Sequence, residues 1–169
     1  PNRPATRPCR DAMDIRILAV GRARRDPLAG LYEDYSKRLP WSVRLTEIPI
    51  ARGRSAKERR REEGKAMLAA LNGGVTLALE STGARLSSED FAARIATWRD
   101  SGAAVLTFII GGPDGLDAGV RGRADFVLSL GPMTWPHLLV RAMLAEQLFR
   151  ATSIHSGHPY HRGGSPAAR

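Results

Sequence analysis

Three histidines spaced by three, His155, His158 and His161, share the stretch SIHSGHPYHR with Tyr160 and Arg162. The spacing invites a metal. No cysteine lies nearby to complete a ligand set, however, and Pro159 interrupts any helix that would align the rings. Imidazole, phenol and guanidinium side by side suit another task, stacking on a nucleobase and holding its phosphate. Just upstream, Glu146 and Arg150 stand four apart on a helical run, the spacing of an ordinary helix ion pair. Arg141 lies on the same run and could reach a nearby ligand or a partner subunit. Two loops add a second kind of chemistry. Gly111-Gly112-Pro113-Asp114-Gly115 follows the apolar run VLTFII, and Gly131, Pro132, Met133, Thr134, Trp135 and Pro136 follow ADFVLSL. Glycine lets a backbone approach a ligand closely, and in open α/β sheets ligands bind just past the strand ends. The first loop lacks the spacing of a dinucleotide fingerprint, and no GxxxxGK[ST] is present, which argues against a P-loop hydrolase. Alone it reads equally as a tight turn or a ligand cradle. Two such exits so close in sequence point to one small-molecule site built from both.

The elements that must position these residues alternate in type. Apolar runs over 14–21, 43–50, 75–80, 104–110 and 124–130 read as strands, and Pro49 places the second near a sheet edge. Asp26-Pro27 opens an amphipathic helix over 27–39, carried by Leu28, Leu31, Tyr32, Tyr35 and Leu39. Ser55 and Glu58 have capping-box spacing ahead of a helix over 56–71. Ser87-Ser88-Glu89-Asp90 starts another, with Phe91, Ile95 and Trp98 on one face. A short helix over 114–121 and a long one over 136–151 complete the set. Strand–helix alternation of this kind predicts an α/β fold: a mainly parallel sheet with helices on both faces. The last helix is apolar nearly all round, more than a sheet alone can cover, which predicts a homodimer through it. Residues 1–12 read as a disordered extension, 13–162 as one domain and 163–169 as a flexible tail.

Charge narrows the class of partner. The 26 Lys and Arg outnumber 17 Asp and Glu, for a net of +9, and the pI is about 10.9, an electrostatic footprint of nucleic acid. Seven of the cations and three acids fall in 52–65, which is either a solvated helix face or a phosphate contact. No apolar run is long enough to span a membrane. The lone Cys9 cannot form an internal disulfide, which predicts a cytoplasmic protein without membrane contact.

FIIGGPDGL, LSLGPMTWPH, LLVRAMLAEQLFRA and HPYHR, in that order, resemble the ribosomal RNA large subunit methyltransferase H family. These are small SPOUT-class enzymes that methylate N3 of a pseudouridine in large-subunit (23S) ribosomal RNA. The resemblance runs from about Met13 to Arg162. It implies a C-terminal trefoil knot, S-adenosylmethionine bound in a bent form against it, an obligate homodimer and a substrate in the large subunit or 70S ribosome. By motif, Leu79, Gly112, Gly131, Pro132, Met133, Thr134, Trp135 and Pro136 line the cofactor, although LESTG departs from the family pattern just after Leu79. Tyr160, Arg162, Arg141, Arg150, His158 and His161 then hold the nucleotide. His161 serves as base or hydrogen-bond partner, Glu146 is a second candidate base, and Arg162 supplies charge at the reacting centre. The tail of one subunit would complete the site of the other. A non-catalytic ribosome- or RNA-binding module of the same fold is the alternative.

Overall fold

A computed structural model describes residues 13–23, 26–53 and 55–161; the expectations on 1–12, 163–169 and Arg162 lie outside these residues. Five strands form one sheet: β1 (Asp14–Val20), β2 (Ser42–Ile48), β3 (Val75–Arg85), β4 (Val105–Ile110) and β5 (Phe126–Ser129). Their order is β2-β1-β4-β3-β5, and every pairing is parallel. The helices are α1 (Pro27–Ser36), α2 (Ala56–Ala70), α3 (Ser88–Asp100), α4 (Ala118–Arg123) and α5 (His137–Ser156).

Because side chains alternate along a strand, the sheet has two apolar faces, each buried under its own helices. Ile15, Ile17, Leu77, Leu106 and Phe108 meet Tyr32, Phe91, Ile95, Leu144 and Leu148 of α1, α3 and α5. Val20, Ala78 and Ile109 meet Met67 of α2 and Val120 of α4. β2 lies at the edge, as Pro49 predicts. Asp26 caps α1 through the Leu28 N–H at 2.8 Å, and Ser55 with Glu58 forms the expected capping box.

The boundaries differ from expectation where tertiary structure overrides local signals. α1 stops at Ser36 rather than 39. α4 begins only at Ala118, because 112–115 is a turn closed by the Gly115 N–H on the Gly112 carbonyl at 3.0 Å. α5 runs on to Ser156, so His155 is helical, and it ends at Gly157 with φ +65°. β3 continues past Ser81-Thr82-Gly83. Leu79 and Ala84 both pair with Leu128, so residues 80–83 loop out of the sheet between them. The apolar girth of α5 is covered by α1 and α3 flanking it as well as by the sheet. Leu139 and Met143 remain half-buried on the stripe that these neighbours leave.

Candidate active site

A cleft of about 660 Å³ opens at the C-terminal ends of β3, β4 and β5, within the size range of small-molecule sites. Three segments wall it. The first is the glycine loop after β4. A Cβ at Gly111 would lie 2.9 Å from the Gly115 backbone, and one at Gly112 would lie 2.8 Å from Val20 Cγ1 and 3.1 Å from Glu63 Oε2. Neither position admits a side chain. α2 grips this loop: Arg59 donates from Nε and Nη2 to the two Asp114 oxygens at 2.7 and 3.0 Å, and Arg60 Nη1 donates to the Asp114 carbonyl at 3.2 Å. The ion pair holds the Asp114 carboxyl below its usual range. Behind the loop, Glu63 is buried, with Oε1 accepting the Ala51 N–H at 3.0 Å and Oε2 enclosed without a partner.

The second wall is the loop after β5. Ser129 Oγ accepts the Gly131 N–H at 3.1 Å and lies 3.1 Å from the Ser81 carbonyl, tying this loop to the third wall, residues 80–82. Leu79, Gly112, Gly131, Met133, Thr134, Trp135 and Pro136 all line the cleft, whereas the exposed Pro132 does not. Apolar Leu79, Ile110, Leu116, Leu130 and Val140 contrast with polar Glu80, Ser81, Thr82, Arg121 and His137. His137, the first residue of α5, packs against Gly21, where a Cβ would come within 2.8 Å of its Nε2. Burial first, and then the Arg141 charge, lowers its pKa, so the ring is neutral at pH 7.

A second cluster lies along α5 and the residues after it. Glu146 Oε1 accepts from Arg150 Nε at 3.0 Å, from Arg150 Nη2, and from the Tyr160 hydroxyl at 3.1 Å, while Oε2 accepts from Gln147 at 2.8 Å. The Tyr160 ring sits edge-on to Phe149 at 4.8 Å with the Arg150 guanidinium 4.9 Å from its centroid. Its oxygen lies 3.2 Å from that of Tyr35. Burial, then the Tyr35 and Glu146 contacts, push the Tyr160 hydroxyl far above its ordinary range, so it stays a donor. His161 Nε2 lies 2.9 Å from Glu89 Oε1, and its Nδ1 is enclosed with no partner. The three histidines go to different partners: His155 to the Ala92 carbonyl, His158 to the Tyr160 N–H, His161 to Glu89. A groove of about 550 Å³ runs past Tyr35, Ser88, Glu146 and Gln147 and shares Leu130 and Gly131 with the cleft.

Besides Pro132, a second site expectation is corrected. Arg141 is 1% exposed, so it is not placed to hold a nucleotide. It donates to Glu47 at 2.8 Å and to the carbonyls of Val20 and Gly21 at 3.0 and 2.7 Å, fastening α5 to the end of β1. Burial alone would raise the Glu47 pKa, but the Ala23 N–H and Arg141 outweigh it and keep the carboxylate charged.

Comparison with known proteins places this geometry. Residues 13–161 match the family model described as "Predicted SPOUT methyltransferase". The chain is 49% identical over 151 residues to a protein named ribosomal RNA large subunit methyltransferase H from Rhodospirillum centenum, covering 89% of this chain and 99% of the relative. The chain belongs to the ribosomal RNA large subunit methyltransferase H family of SPOUT methyltransferases. A second relative of that name, from Paramagnetospirillum magneticum, is 46% identical with the same coverage. Among solved structures, a methylase family protein from Haemophilus influenzae superposes with TM-score 0.54 at 7% identity, over 92% of this chain and 73% of that one. Another from Neisseria gonorrhoeae gives 0.52 at 11%, over 99% and 93%. These two likenesses concern the fold alone. The α/β sheet with helices on both faces is that of the SPOUT class, and membership implies the C-terminal trefoil knot.

Sequence reasoning missed several residues that the structure places in or behind the cleft and in the α5 cluster. Glu89 reads as a helix-start acid, and nothing local shows that His161 returns to it across 72 positions. His137 was visible at the end of LSLGPMTWPH, and its place as first residue of a helix entering from a ligand loop is the signal that could have found it. Glu63 and Glu80 carry no such signal.

Proposed function

We propose that the chain transfers a methyl group from S-adenosylmethionine to N3 of a pseudouridine in 23S ribosomal RNA, as a cytoplasmic homodimer acting on the large subunit or 70S ribosome. The shared wall of Leu130 and Gly131 carries the reading: it joins the cleft to the groove that holds Glu146 and Tyr35. The cleft suits this cofactor. Leu79, Ile110 and Leu130 offer an apolar slot for an adenine ring, and Gly131, with nothing within 4 Å of its missing Cβ, leaves backbone open to it. When bound, the cofactor supplies an electrophilic methyl group on a sulfonium. The chain's part is positioning and the handling of one proton.

His161 is the better of the two candidate bases. Glu146 already accepts from Arg150, Gln147 and Tyr160, which spreads its charge over several donors. Glu89, opposite His161 Nε2, favours the tautomer with the proton on Nε2; Nδ1, enclosed in this arrangement, is the basic nitrogen that a turn of the side chain brings to N3. Tyr160, Arg150, His158 and Arg162 hold the nucleotide. The half-buried stripe of Leu139 and Met143 and the exposed Leu31 beside it support a second copy packed along α5, bringing one tail to the other's cleft.

The test is transfer of tritiated methyl from S-adenosylmethionine to unmodified 70S ribosomes, 50S subunits and free 23S RNA, with cofactor binding followed by calorimetry. His161→Ala and Arg162→Ala are each expected to abolish transfer and leave cofactor affinity within about twofold. Equal loss of both properties would refute this division of labour. Cofactor and RNA binding without transfer by the unaltered chain would favour the non-catalytic module.

A further inference from the structure

The two helix layers carry opposite charge. α2 and α4 hold seven Lys and Arg against three Glu, a net of +4. α1, α3 and α5 hold four Arg against six acids, a net of −2. The layers differ also in how their helix cations are engaged. On the α1–α3–α5 side, Lys37 pairs with Glu33, Arg99 with Asp100, Arg141 with Glu47 and Arg150 with Glu146. Arg94 lies over the rings of Trp98 and Phe126.

On the opposite side the basic run divides by task. Arg59 and Arg60 go to Asp114 of the glycine loop, and Glu62 takes Arg61 and Lys65. Arg121 lies 3.5 Å from Glu80 at the cleft. Among the described cations of the run and of α4, three are exposed and left without an acid: Arg52 before α2, Lys57 in its first turn and Arg123 at the end of α4. None has an acid within ion-pair distance among the described residues. Lys57 lies on the same first turns of α2 as Arg59 and Arg60, which hold the glycine loop, and Arg123 lies two residues past Arg121 of the cleft wall. Unneutralised cations raise the local concentration of a polyanion and are the usual partners of phosphate.

We propose that the α2–α4 layer, through Arg52, Lys57 and Arg123, is the surface that takes the RNA phosphate backbone and lays it beside the cleft. The opposite layer is left for the second copy. The inference rests on the RNA-methylation reading above and adds where the RNA runs.

The test compares two charge-matched variants, Lys57→Ala/Arg123→Ala and Lys37→Ala/Arg99→Ala, for binding to 70S ribosomes between 50 and 200 mM salt. Each lost phosphate contact lowers the slope of log affinity against log salt by ~0.7 to ~0.9. The first pair should therefore flatten the slope by about 1.4 or more and raise KM for ribosomes, with kcat, melting temperature and cofactor affinity held. The second pair should leave the slope unchanged. Equal slopes for the first pair and the unaltered chain would overturn the proposal. So would equal flattening by both pairs, since net charge alone would then explain binding. Failure of the unaltered chain to methylate ribosomes would instead overturn the proposed function, whatever the slopes show.

Discussion

Arg141 and His137 sit one helical turn apart and do different work. The buried Arg141 guanidinium donates to Glu47 and to two carbonyls at the end of β1. Breaking a buried pair costs about 3–5 kcal/mol. Because Glu47 stays 31% exposed, Arg141→Ala is expected to lose about 2–3 kcal/mol in a urea denaturation series. Lysine cannot span the three acceptors, so Arg141→Lys should recover less than half. His137 sets a pH dependence. Its folded pKa lies below the ordinary value of ~6.5, so the unfolded chain takes up a proton there before the folded chain does. Stability therefore falls as pH drops below about 6.5, and His137→Asn should flatten melting temperature against pH in that range. Sequence placed both residues within or just after motifs of the family resemblance. It could not show that the cation faces inward, because an arginine on an amphipathic helix reads as surface until its acceptors on other elements are known.

The looping-out of 80–83 is the structural event that makes the cleft. Ser-Thr-Gly reads as a strand stop, and β3 resumes only because β5 lies alongside to pair with Ala84 and Arg85. Local residues could not reveal this. Gly83 is the tightest point, where a Cβ would come within 2.7 Å of Val127 O and Leu128 C, both backbone atoms. Gly83→Ala must push β5 aside, an overpacking cost of about 1–3 kcal/mol. It should lower the melting temperature by several degrees and weaken cofactor binding by roughly tenfold in calorimetry. α5 shows the same limit at its other end. Thr152 and Ser153 look like loop residues, yet both hydroxyls donate back to the Phe149 carbonyl, at 2.7 and 3.0 Å, and the helix continues. Where capping was local, as at Asp26, Ser55 and Ser87, sequence and structure agree at the helix start.

At the scale of the molecule, strand–helix alternation made the parallel sheet legible, while the strand order was not. β4 pairs with β1 and β3 at the centre of the sheet through contacts far apart in the chain, which no local pattern records. The proposed dimer also belongs to this scale. Met143→Arg places a charge on the half-buried stripe of α5 and is expected to give a monomer in analytical ultracentrifugation, with methyl transfer lost and the melting transition still cooperative. A dimer that survives this change would mean that another face carries the association. The hydrogen bond between Tyr35 and Tyr160, which spans 125 positions, bears on how the protein is made. The first strand waits for residue 105 before its inner neighbour exists, and the tail cannot dock until almost the whole chain has left the ribosome. Such non-local contacts predict slow folding, so during synthesis the nascent chain is a basic polymer well before it is an enzyme.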